Sequence, residues 1–345
     1  MNGQHCLRQP ASNTNRGHHE CEIFLEHEHE AFESARRWQN CEKNPAHKNF
    51  ISPQDFKEIY LPRLKSDRKR EELVSRIDRT VRLKVSYTSP DRPDDDELAE
   101  YRGTHASRDG TGYISFLGQP EYNKPCFCYR CEGKVKRKQW RFKVQTALHV
   151  VYNTEEAKKT KVDLFCDDDS AELDGRMKSV RGAEVIRFKP NRDRCRMWCV
   201  TCDKDLVERI KSAGRYKIEI DKINPQDLYD IGLLPSRNKD SIPVLIFSHP
   251  HGQPKKITVG ELKGKQDGGN SRLEYTTPTC PGSSGAPVFQ YAREKVFWLS
   301  SPVHSGSSTA ENHQVNILKR LFNQLMGGKP LQGQLNFGCD GFYYW

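Results

Sequence analysis

A serine set between glycines, in Thr279-Cys280-Pro281-Gly282-Ser283-Ser284-Gly285-Ala286-Pro287-Val288, joins a hydroxyl to a backbone able to turn sharply. Glycine admits dihedrals closed to other residues, so such a turn exposes one hydroxyl and aims successive N–H groups at a single point. The chemistry this permits is nucleophilic attack on a carbonyl carbon, with the N–H groups of Gly282 and Ser284 receiving the charge on oxygen. Gly-Ser strings also fill ordinary turns and linkers, so the hydroxyl needs a base brought from elsewhere. His149 closes an alternating run that begins at Arg141 and passes through the small residues Thr146 and Ala147. An imidazole fixed at a strand end is suited to general-base work. Asp193, just before the strand-like run Arg194 to Thr201, offers a carboxylate to orient it. Asp203 and the cluster Asp167-Asp168-Asp169 are rivals: Asp203 is well placed to cap a helix over Lys204 to Ala213, and the cluster reads as a solvated loop.

Taken in order, Thr146-Ala147-Leu148-His149, a later carboxylate and Gly282-Ser283-Ser284-Gly285-Ala286-Pro287 resemble the Thr-Ala-x-His and Gly-Asp-Ser-Gly-Gly-Pro motifs of the chymotrypsin/trypsin-like serine peptidase superfamily. The resemblance spans residues 78–326. It implies a mainly β fold of two six-stranded barrels and a serine endopeptidase acting on protein or peptide substrates without a cofactor. It also implies a catalytic set of His149, Asp193 and Ser284, with an oxyanion hole at Gly282 and Ser284.

Departures from the family pattern are informative. Ser283 stands where secreted members carry the aspartate that pairs with a new N-terminus after zymogen cleavage, so the site is expected to be organised without that ion pair. Val150 replaces a half-cystine. Pro278 occupies the pocket-floor position and lacks the carboxylate that selects Lys or Arg. Val303-His304-Ser305-Gly306 resembles the histidine-bearing strand of glutamyl endopeptidases and viral chymotrypsin-like proteases, which implies that His304 reads an acidic or amide side chain.

The elements that must position these groups are legible as patterns. Thr80 to Tyr87 alternates polar with apolar and reads as a first strand, and Tyr113 to Leu117 and Trp140 to Val144 follow as strands. Ile242 to Ser248 and Lys256 to Gly260 form a second hairpin-like set. The expected layout is an extension over 1–77, partly disordered with two helices; a first barrel over 78–202 carrying His149 and Asp193; a second barrel over 203–326 carrying Ser284; and a tail over 327–345. A further charged helix is expected within Glu20 to Arg37, and an amphipathic C-terminal helix over Val315 to Met326.

Twelve cysteines occur without an apolar leader or a run of ~18 apolar residues, so a reduced, intracellular and cytoplasmic chain with no membrane span is expected. Cys126, Cys128 and Cys131 have zinc-ligand spacing, with Cys195, Cys199 and Cys202 as a second group. Lying in strand-like segments, they read rather as small hydrophobes, and no metal is expected. His249 and His251 read as turn residues. The net charge of +10 admits nucleic acid as an alternative partner through Arg63 to Arg70 and Lys134 to Lys138, but no aromatic-interleaved motif accompanies these runs. A catalytically inactive, peptide-binding scaffold is the other alternative.

Overall fold

Alternation decides which side of each strand faces a core. In strand β3 (Thr80–Val85) the residues Val81, Leu83 and Val85 are fully buried, while Arg82 on the opposite face ion-pairs with Asp163 at 2.8 Å. The structure, a computed structural model, describes residues 18–25, 30–189, 192–214, 223–234, 241–266, 272–291, 302–307 and 336–339.

Before β3 come strands β1 (His18–His19) and β2 (Ile23–Phe24), then helices α1 (Glu30–Gln39), α2 (Pro53–Asp55) and α3 (Asp67–Arg79). Strands β4 (Ser107–Leu117), β5 (Glu121–Pro125) and β6 (Lys136–Thr146) follow, then α4 (Thr154–Lys158), β7 (Thr160–Leu164), β8 (Lys178–Lys189) and β9 (Arg194–Thr201). The order β4-β3-β7-β8-β9-β6 is closed by pairing of β4 with β6, giving a six-stranded barrel. Its core gathers Leu83, Phe142, Val144, Val162, Leu164 and Met197.

Helices α5 (Lys204–Gly214) and α6 (Pro225–Asp230) connect to β10 (Pro243–Ser248), β11 (Lys256–Gln266), β12 (Arg272–Tyr275), β13 (Val288–Gln290), β14 (Val303–Ser307) and β15 (Asn336–Cys339). The order β14-β15-β12-β11-β10-β13 returns on itself through the bridge Pro287–Val303 and a 2.8 Å bond from the His304 N–H to the Ala286 carbonyl. The molecule is therefore mainly β, with two six-stranded barrels. Among the described residues no helix is long and apolar enough to cross a membrane.

The residues before β3 are integrated into this frame more fully than an extension would be. Ser52 caps α2 and Ser66 caps α3 through their hydroxyls, each accepting from a backbone N–H of the first turn. Leu73 and Ile77 of α3, with Phe56, pack on Leu245, Phe247 and Phe289 of the second barrel. Each such fully buried side chain contributes about 1.5–3 kcal/mol.

Among the described residues the expected helix within Glu20 to Arg37 is seen only in α1. Upstream, the β-forming pair Ile23-Phe24 instead joins β4, and β1 joins β14. Backbone pairing offered by two sheet edges overrides the local charge pattern. Part of the expected tail likewise forms β15, between β12 and β14. The expected helix Val315 to Met326 lies outside the described residues.

Candidate active site

Three segments converge where the barrels meet. The first is the turn after β6. The Arg92 guanidinium donates to the His149 carbonyl at 2.9 Å, and Arg108 donates to the Val150 carbonyl at 3.0 Å. Both arginines close on the fully buried carboxylate of Glu156, at 2.7 and 2.5 Å. A buried charge is tolerated only when paired and hydrogen-bonded, and this network satisfies Glu156 while clamping the backbone that carries the imidazole.

The second segment is the residue before β9. Asp193 takes a left-handed φ of 41°, a conformation that costs an L-residue on the order of 1–3 kcal/mol and points to over-determined positioning. Its Oδ2 accepts from His149 Nδ1 at 2.7 Å, and its Oδ1 accepts from the His149 N–H at 2.9 Å. Burial raises the Asp193 carboxyl, but the adjacent His149 and His19 rings outweigh it and hold the group well below the usual carboxylate range. Burial also lowers the His149 pKa, against the opposing pull of Asp193. The imidazole is thus fixed with Nδ1 toward the carboxylate and Nε2 available. Nε2 is buried and makes no hydrogen bond to a described residue. Asp203 caps α5 through the Leu206 N–H, in keeping with its expected role. Asp167 is not simply solvated: it accepts from the buried Lys255 at 2.7 Å.

The third segment is the serine turn. Thr111 of β4 grips it twice, donating from its N–H to the Ser284 carbonyl and from its hydroxyl to the Gly282 carbonyl, both at 2.8 Å. Gly282 and Gly285 both have φ of +89°, and a Cβ at Gly285 would fall 2.1 Å from Thr146 Oγ1, so a side chain there would split the barrels. Ser283, in place of a zymogen aspartate, is buried and bonded to Ser248 at 3.1 Å and to the Cys280 N–H at 3.3 Å. The N–H groups of Gly282 and Ser284 donate to no described protein acceptor, as an oxyanion-binding pair requires.

The chain's own N-terminal segment runs between these groups. β1 adds antiparallel to β14, pairing His19 with Gly306, and β2 adds to β4 of the other barrel, pairing Ile23 with Arg108. Between them Ser284 Oγ donates to the Glu20 carbonyl at 3.2 Å, and the His19 ring stacks on His149 with centroids 4.2 Å apart. The hydrogen bond between Ser284 and His149 is accordingly not formed.

The Glu20 side chain, 9% exposed, ion-pairs with Lys43 and lies 3.8 Å from His304 Nε2. Burial raises its carboxyl, yet Lys43 and His304 bring it down to about 2. Lys43 is itself held by Asn336 at 2.9 Å and Thr279 at 3.3 Å, and His304 Nδ1 meets the Tyr275 hydroxyl at 2.7 Å. Pro278 is half-buried and gives Glu20 no hydrogen bond. Lys43, Tyr275, Asn336 and Glu20 carried no sequence signal: each is an isolated polar residue whose partner lies in another element.

Cys126, Cys128 and Cys131 are brought together, and Cys202 completes a four-sulfur cluster with them; Cys195 and Cys199 lie apart in the barrel core. A second cluster joins Cys41, His47, His251 and Cys280 beside the serine turn.

No protein-family model matches the chain, and no curated protein does. Among solved structures it is similar to the Rv3671c protease from M. tuberculosis, active form, at 10% identity and a TM-score of 0.35, covering 78% of each chain. It is also similar to Deg5, at 13% identity and a TM-score of 0.33 over 70% of this chain and 87% of that one. A third is the HtrA-type protease AlgWS227A with decapeptide, at 12% identity and a TM-score of 0.33 over 77% and 61%. Residue roles in this chain rest on its own geometry.

Proposed function

We propose that the chain is a serine endopeptidase that cleaves peptide bonds after acidic residues, with Ser284 as nucleophile, His149 as general base and Asp193 as its orienting carboxylate. The observation that carries this is the 3.2 Å bond from Ser284 Oγ to the carbonyl of a peptide stretched across both barrels. In turnover His149 Nε2 takes the Ser284 proton as Oγ attacks the carbonyl carbon. The resulting oxyanion is received by the Gly282 and Ser284 N–H groups, and loss of one such donor costs about 10²–10³ in kcat. The protonated imidazole then gives its proton to the leaving amine, and water resolves the Ser284 ester through the same base.

The acidic preference follows from the pocket, where the Lys43 ammonium and His304 surround a carboxylate. Cleavage of a peptide library after Glu, with none after Lys or Arg, is the expected result; a Lys/Arg preference would refute the reading. The ten cysteines whose side chains are described form no disulfide with one another, which fits a reducing, intracellular setting.

The occupied groove also favours a second reading, a scaffold that holds peptides without cutting them. Covalent labelling of Ser284 by a fluorophosphonate separates the two, since only an activated serine reacts. The basic run Lys134 to Lys138 lies exposed along the β5–β6 hairpin, and salt-sensitive retention on nucleic acid would be its signature.

A further inference from the structure

We infer that Cys41, His47, His251 and Cys280 form a structural zinc site that fastens the N-terminal region to the serine turn. The four donor atoms lie within 4.8 Å of one another. Cys41 Sγ and Cys280 Sγ are 3.6 Å apart, and Cys280 Sγ is 3.4 Å from His47 Nε2. Tetrahedral zinc, with Zn–S of about 2.3 Å and Zn–N of about 2.0–2.1 Å, requires separations of about 3.8 and 3.6 Å. A disulfide would instead need sulfurs about 2.05 Å apart and would leave both histidines without a purpose.

The surroundings are those of a metal ligand set. His251 Nδ1 meets the Glu22 carboxylate at 2.7 Å, which turns Nε2 toward the cluster; Nε2 is buried and has no hydrogen-bond partner among the described residues. A carboxylate behind a ligating imidazole fixes its tautomer and raises its basicity. The Asn44 N–H and side-chain amide donate to Cys41 Sγ and Cys280 Sγ at 3.4 and 3.1 Å, as thiolates favour. His47 is sandwiched against Trp38, with centroids 3.5 Å apart and planes at 8°. Both histidines have left-handed φ, 45° and 53°, a strain that a metal bond would hold in place.

Four protein ligands leave no open coordination position, so the ion is structural rather than catalytic. Its reach is functional all the same. Cys280 accepts the Ser283 N–H at the base of the serine turn, and Lys43 of the acidic pocket lies two residues beyond Cys41.

A different observation carries a second site of the same kind. Cys128 and Cys131 lie 3.7 and 3.9 Å from Cys202, and Cys126 completes the set. The Cys131 and Glu132 N–H groups both donate to the Cys128 carbonyl, a tight knuckle that turns successive sulfurs to one point. This four-thiolate site ties the tip of the β5–β6 hairpin to the end of β9, the strand that follows Asp193.

Zinc content of the full-length protein, purified under reducing conditions and desalted into metal-free buffer, tests both sites by native mass spectrometry. Two zinc ions per chain are expected. Cys41→Ser should remove one, and Cys128→Ser together with Cys202→Ser the other. If a variant fails to fold, cobalt exchange into the unmutated protein decides: intense tetrahedral bands with thiolate charge transfer are expected at two distinguishable sites. Zinc content unchanged by Cys41→Ser, or a Cys41–Cys280 disulfide in a peptide map of the reduced preparation, would overturn the first site. Zinc content unchanged by the Cys128/Cys202 pair, or cobalt spectra lacking a four-thiolate component, would overturn the second.

Discussion

Ser284 Oγ and the Glu20 carbonyl oxygen are hydrogen-bonded at 3.2 Å, so the group proposed as nucleophile faces a peptide bond of its own chain. A tethered segment acts at an effective concentration on the order of millimolar, enough to compete with dilute substrate. Glu20→Ala removes the carboxylate that Lys43 and His304 hold and should free the groove. The expected outcome is fluorophosphonate labelling of Ser284 faster by about tenfold or more, under conditions where the variant is fully folded. An unchanged labelling rate would show that the segment does not govern access.

Ser284→Ala should abolish peptide hydrolysis while leaving the circular dichroism spectrum and melting temperature intact, because among described partners the hydroxyl bonds only to the Glu20 carbonyl. Asp193→Asn should keep the geometry but present the wrong partner to Nδ1, lowering kcat by about 10⁴. Retention of more than about a tenth of wild-type kcat in Asp193→Asn would remove Asp193 from the mechanism.

Lys43 supplies the positive charge of the pocket, since burial lowers the His304 pKa and favours the neutral ring. Removing one member of a buried charge pair costs about 3–5 kcal/mol, a factor of about 10²–10⁴ in kcat/KM. Lys43→Met should therefore erase discrimination of Glu over Gln peptides by that order. His304→Ala should weaken both substrates, as its ring is neutral toward either. Equal loss for Glu and Gln in Lys43→Met would contradict the assignment.

The pH profile follows from His149. Its base form is neutral, and burial moves its pKa below the ordinary value of ~6.5, so kcat/KM should stay high as pH falls through 6.5 and drop only below it. Stability carries the same sign: below that ordinary value the unfolded chain binds a proton that folded His149 refuses, so this contribution is present above the unfolded pKa and lost as pH falls. Asp193 raises the His149 pKa, and Asp193→Asn should shift the residual acid limb further down. An acid limb centred above 7 in kcat/KM would sink this account.

The candidate residues His149, Asp193 and Ser284 could be picked out because each belongs to a local pattern: an imidazole at a strand end, a carboxylate at a strand start, a hydroxyl between glycines. Strand β3 and helices α3 and α5 were legible for the same reason, since period and caps are written within a few residues. Lys43 and Glu20 were not, because their meaning lies in a pairing between an N-terminal segment and β14. The Cys41 cluster was hidden likewise, its ligands drawn from α1's C-terminal side, the β10–β11 turn and the serine turn. Cys202 stood in view, but only the closure of β6 on β9 places it beside Cys128.

The buried network behind His149 gives a prediction about stability. Glu156 is fully buried, accepts from Arg92 and Arg108, and through them sets the carbonyls of His149 and Val150. Glu156→Ala leaves two guanidinium groups buried without their common counter-charge, which costs about 3–5 kcal/mol. Replacement by Gln keeps the shape and one of the two acceptor oxygens but not the charge, so the loss should be smaller yet in the same direction. Urea unfolding measures both. The His149 backbone loosens with the network, so kcat should fall in Glu156→Gln even under conditions where the variant is fully folded. A stability change under about 1 kcal/mol in Glu156→Ala would mean that solvent reaches the arginines and that the clamp is not what fixes the imidazole.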